Sequence, residues 1–263
     1  MRPVKCWQID AFTDRPFRGN SAAVCWLEED VAEDWMQSVA AEMNLAETAF
    51  VQRQSEGYRL RWFTPLVEVP LCGHATLASA HALWTERLHA RDQPIHFHTQ
   101  SGLLTCTWQN ELITMDFPAT PATAVEPPVG LLESLRVTPI FVGKTQFDHL
   151  VVVEDAQQVR TLAPDLERLK AVATRGVMVT SLSDDPQYDF ISRFFAPAVG
   201  INEDPVTGSA HCCLGPYWAT ELGKTSLTAL QASAREGAIQ VQVDQERVYL
   251  GGQAVTVLRG ELV

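Results

Sequence analysis

The side chains of this sequence best suited to proton transfer lie in two short segments of its first half. Glu47 lies in Asn44-Leu45-Ala46-Glu47-Thr48, on a predicted connection between a helix and a strand. A carboxylate held between two rigid elements can act as a general base. His74 lies in Cys72-Gly73-His74, at the predicted start of a helix. The helix dipole lowers the pKa of a histidine there and favours the neutral imidazole. Gly73 leaves the first amides of that helix accessible to an anion.

One phrase, Arg-aromatic-Phe-small-Pro followed by Gly-(His or Ser)-Ala, occurs once in each half, at 61–75 and at 193–210. Gly208-Ser209 is therefore the counterpart of Gly73-His74. Asp204, just before the second helix start, could orient a histidine or bind a substrate amine or hydroxyl. The repeat predicts two related lobes whose glycine-led helices face one cleft.

Each candidate also has an ordinary structural explanation. Glu47 could be a solvated glutamate, His74 a helix cap or surface residue, and Asp204-Pro205 a simple turn. The pair in His96-Phe97-His98 would lie on one face of a strand, but no third ligand accompanies it, so we predict no metal site. His211-Cys212-Cys213 is expected to pack in the core of a helix.

The composition narrows the possible partners. The net charge is −12, with 46% hydrophobic and 20% charged residues, which is typical of a globular protein with a full core. The acidic balance argues against nucleic acid and anionic membranes, and no run is long and apolar enough to span a bilayer. Six cysteines without Cys-x-x-Cys spacing are expected to be free thiols. Without an apolar leader, the expected location is the cytoplasm.

The elements that must position the candidate residues can be placed approximately. Val4 to Ala11 alternates like a strand, and a helix is predicted from Glu28-Glu29-Asp30. A second helix is predicted from Gly73 to about Leu88, and its many small residues imply close approach of surrounding backbone, as when a sheet wraps around it. Another helix is predicted from Ser209 toward Gly223. The segment 118–128 is the best linker. We therefore predict lobes at 1–117 and 118–263, with the final strand free to pack back on the first lobe.

Together these segments resemble the phenazine-biosynthesis PhzF-like isomerase family, which shares the diaminopimelate epimerase fold. The resemblance implies an α/β protein of two pseudo-symmetric lobes, each a barrel-like sheet around a central helix, with the site in the cleft between them. It also implies a small-molecule substrate and no cofactor, and it leaves a homodimer open. The matching blocks are Gln8 to Phe12 with Gly19-Asn20, Asn44 to Phe50, Phe63 to Thr76, and Arg193 to Ala210.

In the phenazine enzyme of that family a glutamate moves a proton between carbons of a cyclic dihydro-hydroxyanthranilate, helped by a histidine, an aspartate and a serine. Carried over by motif, the catalytic set is Glu47, His74, Asp204 and Ser209, and the substrate-binding set is Asn20, Gly73 and Gly208. The resemblance thus implies that Glu47 is the general base and then the acid. Its pKa would have to move toward working pH through burial. Ser21 and Ala46 depart from the family pattern and affect substrate identity more than reaction type.

Racemases of the same fold use two thiols, one from each half. Here Cys72 aligns with Thr207, whose hydroxyl is far too weak an acid to replace a thiolate. A symmetric two-cysteine mechanism is therefore excluded. Two alternatives to a single glutamate base stay open: an epimerase with unequal bases, Cys72 and Glu47, and a protein that binds a small ligand without turnover.

Overall fold

The computed structural model describes residues 3–263, and these form two compact units. The first unit contains the chain up to Phe117 together with Leu250–Val263, and the second contains Pro118–Tyr249. Among the described residues, no helix has the length and apolar character needed to cross a membrane.

The described part of the first unit is built from strands and two helices. Its elements are β1 (Val4–Ala11), β2 (Asn20–Leu27), α1 (Glu33–Met43), β3 (Glu47–Arg53), β4 (Tyr58–Phe63), β5 (Glu68–Val69), α2 (Gly73–Thr85), β6 (Ile95–Thr99), β7 (Gly102–Gln109) and β8 (Leu112–Pro118).

The second unit has the same kind of organisation with more short helices. Its elements are β9 (Thr123–Ala124), α3 (Leu131–Leu135), β10 (Phe141–Lys144), β11 (His149–Val152), α4 (Ala156–Arg160), α5 (Leu166–Lys170), β12 (Val177–Leu182), β13 (Phe190–Ala196), β14 (Ile201–Asp204), α6 (Gly208–Leu222), β15 (Ser226–Gln231) and β16 (Gly237–Asp244). The chain then continues through β17 (Arg247–Gly252) and β18 (Ala254–Leu262). Strand β18 lies in the first unit because it pairs antiparallel with β1 along its whole length.

Helix α2 is the centre of the first unit. Every residue from His74 to Trp84 is buried, as expected for a helix without a polar face. Ala75, Ala78 and Ala80 have no exposed surface. Their small side chains let the surrounding strands approach the helix closely, which is the arrangement that the alanine-rich sequence predicts.

Strand pairing repeats from one unit to the other. In the first, β1–β2 is antiparallel, β2–β3 parallel, β3–β4 antiparallel and β4–β6 parallel. In the second, β10–β11, β11–β12, β12–β13 and β13–β15 follow the same order of directions. The sequence repeat therefore reflects a repeated topology, and the predicted α/β fold of two related lobes is confirmed.

The repeated arginine makes the same contacts in each copy. Arg61 on β4 forms a two-pronged ion pair with Glu68 on β5, with both N···O distances at 2.6 Å. Arg193 on β13 forms the corresponding ion pair with Glu203 on β14, with N···O distances of 2.6 and 2.9 Å. These ion pairs connect β4 to β5, just before α2, and β13 to β14, just before α6.

Two predicted helix boundaries were wrong. Helix α1 begins at Glu33 rather than Glu28, because the backbone is still extended at Ala32, the residue before it. Helix α2 ends at Thr85 rather than Leu88, because the amide of Leu88 turns back to the carbonyl of Leu83 at 2.9 Å. The linker 118–128 contains the short strand β9, which pairs with β10.

Candidate active site

Glu47 is the first residue of β3 rather than part of a connection. Helix α1 ends at Asn44, which adopts the left-handed conformation (φ 49°) and donates its amide to the carbonyl of Ala40 at 3.1 Å. Asparagine tolerates that conformation better than most residues, so the chain can enter the strand within two residues. Glu47 pairs with Ala22 of the parallel strand β2 and is only 9% exposed. Its carboxylate is therefore held at the end of a buried strand.

His74, the second residue of α2, lies beside that carboxylate. Its Nε2 is 3.2 Å from Oε2 of Glu47, but the ring is not aligned for a full hydrogen bond. Active-site hydrogen bonds are often poorly aligned before substrate binds. Burial lowers the pKa of His74 to about 3, so the imidazole is neutral near pH 7. The predicted direction is correct, although its cause is burial rather than the helix dipole.

Asn20 defines which nitrogen of His74 carries the proton. It is the first residue of β2, is 1% exposed, and places its amide nitrogen 3.1 Å from Nδ1 of His74. Because that amide donates, Nδ1 must accept, and in a neutral ring the proton then resides on Nε2, facing Glu47. The observed partner of Asn20 is thus His74. A direct contact between Asn20 and substrate stays a prediction.

Cys72 completes this cluster from the residue just before α2. It is 7% exposed, and its Sγ lies 3.5 Å from Nδ1 of His74. Glutamate, cysteine and histidine are all metal-ligand types, and one ligand atom from each of these residues lies within 4.8 Å of the others. However, Cys72 lies near Nδ1 and Glu47 near Nε2, on opposite sides of one ring. An ion bound there would use one ring nitrogen; in the described contacts Asn20 and Cys72 approach Nδ1 and Glu47 approaches Nε2.

In the second unit, Asp204 is held by a buried polar network. Its Oδ2 accepts a hydrogen bond from the Thr207 hydroxyl at 2.6 Å. Gln231 on β15 donates to the carbonyl of Asp204 at 2.7 Å and accepts from the amide of Thr207 at 2.8 Å. Gln231 has no exposed surface. Gln231 could not be found from the sequence. It lies 27 residues after Asp204, and nothing near it indicates that its amide will contact Asp204.

Gly208 and Ser209 open helix α6, as the repeat predicts. Gly208 is buried and Ser209 is exposed. Thr207 does not cap the helix with its side chain, because its hydroxyl is bonded to Asp204.

The remaining histidines and cysteines of the sequence analysis lie in structural positions. His211 is fully buried, donates from Nδ1 to the carbonyl of Thr207 at 2.8 Å, and stacks on Phe190. His96 and His98 bond separately to Thr105 and to the backbone of Glu56. All six cysteines are buried free thiols, as expected.

Comparison with known proteins agrees with this architecture. A family model described as phenazine biosynthesis-like protein matches residues 9–260. A protein of Halalkalibacterium halodurans named as an uncharacterized isomerase is 50% identical over the whole of both chains. Another so named, from Pseudomonas aeruginosa, is 49% identical over 97% of each chain. The crystal structure of a phenazine biosynthesis protein of the PhzF family from Enterococcus faecalis has a TM-score of 0.95, with 39% identity and 99% of each chain covered.

Proposed function

This chain belongs to the phenazine biosynthesis-like protein family and is an isomerase, and we propose that it moves a proton on a small carboxylated, cyclic substrate with Glu47 as the single base. In this reaction Glu47 takes a proton from one carbon and returns it to another. No cofactor takes part in the proposed reaction, as the family resemblance implies.

The observation that carries the proposal is the pairing of a buried carboxylate with a neutral imidazole. Nε2 of His74 lies 3.2 Å from Glu47, and burial has lowered the pKa of His74 to about 3. An imidazole with so low a pKa is a poor proton acceptor near pH 7. It can still donate a hydrogen bond from Nε2. Glu47 is thus the better base of the pair, and His74 orients it or stabilises negative charge on the substrate.

Proton transfer from carbon to Glu47 leaves the total charge of the site unchanged. When Glu47 removes a proton from carbon, the substrate becomes an enolate and the glutamate becomes a neutral acid. The negative charge therefore moves from Glu47 to the substrate, where a hydrogen bond from Nε2 of His74 can stabilise it. Amides at the start of α2, from Gly73 onward, are proposed to hold the substrate carboxylate.

Asp204 and Ser209 are given supporting roles in this proposal. The Thr207 hydroxyl and the Gln231 amide hold the Asp204 segment in one conformation, which suits a carboxylate that must bind a substrate amine or hydroxyl. Ser209 is exposed in the first turn of α6 and can donate its hydroxyl to an anion. The amide of Gly208 is proposed to bind the same anionic group of the substrate as the Ser209 hydroxyl.

A second candidate is an epimerase with two unequal bases, Glu47 and Cys72. The observation in its favour is the position of Cys72, whose Sγ lies 3.5 Å from the imidazole that also adjoins Glu47. A thiolate there could remove or return a proton on the other side of a carbon.

The test compares Glu47→Gln with Cys72→Ser in D₂O, using dihydro-hydroxyanthranilate and a panel of cyclic carboxylates as trial substrates. Glutamine keeps the size and hydrogen-bonding capacity of glutamate but cannot accept a proton. We expect wild type and Cys72→Ser to place deuterium on carbon, while Glu47→Gln exchanges ~10²–10⁴-fold more slowly or not at all. An unchanged thermal transition must first show that each variant folds.

If folded Glu47→Gln exchanges at the wild-type rate, Glu47 is not the base. If instead Cys72→Ser is the inactive variant, the two-base epimerase replaces the proposal.

A further inference from the structure

A second feature of the first unit is an open cavity of ≈ 850 Å³ with three arginines in its wall. Arg53 comes from the end of β3, and Arg87 and Arg91 come from the segment after α2. The rest of the wall is Trp84, Thr85, Leu88, His89, Ala90 and Gln93. Three positive charges around one cavity are unexpected in a chain whose net charge is −12.

Among residues 3–263, no ion pair with a carboxylate occupies these three guanidinium groups. Arg91 lies over the ring of Trp108 at 4.2 Å, and Arg53 lies over the ring of Tyr58 at 5.9 Å. The neighbouring carboxylate of Glu86 is bound to a different arginine, Arg259, at 2.8 Å. The rings orient the guanidinium groups of Arg53 and Arg91 without neutralising them, so their charge is available to a ligand.

These arginines are not needed to cap the helix they follow. Basic side chains often bind the last carbonyls of a helix, but here backbone amides already do so. The amide of Glu86 bonds to the carbonyl of Ala82, and that of Leu88 bonds to the carbonyl of Leu83, both at 2.9 Å. A structural role at the end of α2 therefore does not explain the cluster.

The wall of the cavity is held in place by its own hydrogen bonds. The indole of Trp84 donates to the carbonyl of Ala90 at 3.2 Å, and the hydroxyl of Tyr58 donates to the carbonyl of Leu88 at 3.2 Å. Arg87 adopts the left-handed conformation (φ 58°), which favours glycine and strains most other residues. An arginine thus occupies a position where glycine would fit the backbone better.

This cavity is separate from the candidate active site. Glu47 begins β3 and Arg53 ends it, which separates them by ~20 Å at the rise of an extended strand. Likewise, His74 lies in the first turn of α2, whereas the cavity wall begins at Trp84 in its last turn, ~15 Å away at the rise of a helix. A ligand in the cavity would not touch the proton-transfer residues.

We propose that the arginine cavity binds a small organic anion that carries a diphosphate group. Guanidinium groups present paired donors that match phosphate oxygens, and three of them can share the charge of two linked phosphates. The volume is in the range of sites that hold ligands of nucleotide size. Phosphate and carboxylate oxygens are both possible partners of arginine, so the test separates the two.

The test is titration calorimetry of the whole chain with inorganic pyrophosphate and, separately, with citrate at low ionic strength. We expect saturable binding of one pyrophosphate per chain that weakens as salt is added, and weaker binding of citrate. Arg87→Gly and Arg91→Gln should each weaken pyrophosphate binding about tenfold. Arg168→Gln, which removes a largely exposed arginine of the second unit, should leave it unchanged.

Arg87→Gly is the decisive variant, because glycine suits the left-handed backbone and the protein should fold at least as well as wild type. Equal binding by wild type, Arg87→Gly and Arg91→Gln would overturn the proposal. Tighter binding of citrate would overturn its assignment to phosphate. A changed association state in sedimentation, without any effect on pyrophosphate binding, would show instead that the arginines face a second copy of the chain.

Discussion

Burial of His211 should make the protein less stable in mild acid by an amount that can be worked out. Burial lowers the pKa of His211 from 6.5 to about 4. Between these two values the unfolded chain binds more protons than the folded chain, so the free energy of unfolding falls as the pH falls. At about pH 5, some 1.5 units below the unfolded pKa, His211 alone should cost about 2 kcal/mol relative to neutral pH.

The measurement is urea unfolding of wild type and His211→Gln at about pH 7.5 and pH 5. Glutamine can still donate to the carbonyl of Thr207 but cannot titrate. The stability that wild type loses on acidification should exceed the loss of the variant by about 2 kcal/mol. Val248→Ala is the control, because Val248 is fully buried in the same unit and its truncation should lower stability equally at both pH values.

His74 and His81 should add to the acid sensitivity of wild type. Burial lowers their pKa values to about 3 and about 4, so they act in the same direction as His211. Since both remain in His211→Gln, that variant should keep part of the acid sensitivity. Parallel losses in wild type and His211→Gln would refute the reasoning, because they would show that folding does not change the proton affinity of His211.

Three further outcomes follow from the candidate site. Cys72→Ser should lower turnover less than Glu47→Gln, and the single-base assignment is wrong if steady-state rates show the reverse order. Asn20→Leu should lower kcat more than it raises KM, because Nδ1 of His74 loses the donor that keeps the proton on Nε2. Nitrogen-15 NMR of the imidazole in this variant should show a mixture of tautomers. A spectrum unchanged from wild type would contradict this. Gln231→Met should lower the melting temperature by several degrees through an unsatisfied buried amide, and calorimetry showing no shift would remove Gln231 from the network.

The sequence alone determined the features that depend on neighbouring residues. The repeated phrase predicted two related lobes, and the glycine before His74 predicted the start of α2. The run of small residues predicted a helix enclosed by strands. Such patterns are readable because capping and the periodicity of burial act over a few residues. Glu47 could be identified because it lies in a motif of the family. Glu47 lies in β3 rather than in the predicted connection, which changes only its local secondary structure.

Tertiary structure decided the contacts between distant segments. Asn20 meets His74 across 54 residues of chain, and Gln231 meets Asp204 across 27. Neither pair has a local signal, because strand register and the packing of α2 against the sheet determine which side chains face each other.

Composition was misleading at the arginine cavity. A net charge of −12 describes the average over the surface, and it argues against long anionic partners such as nucleic acid. The net charge does not indicate where the positively charged side chains lie on the surface. Arg53 joins Arg87 and Arg91 only because the end of β3 and the segment after α2 meet at one place in the fold. Local charge of this kind is a property of packing, and a sequence read residue by residue does not contain it.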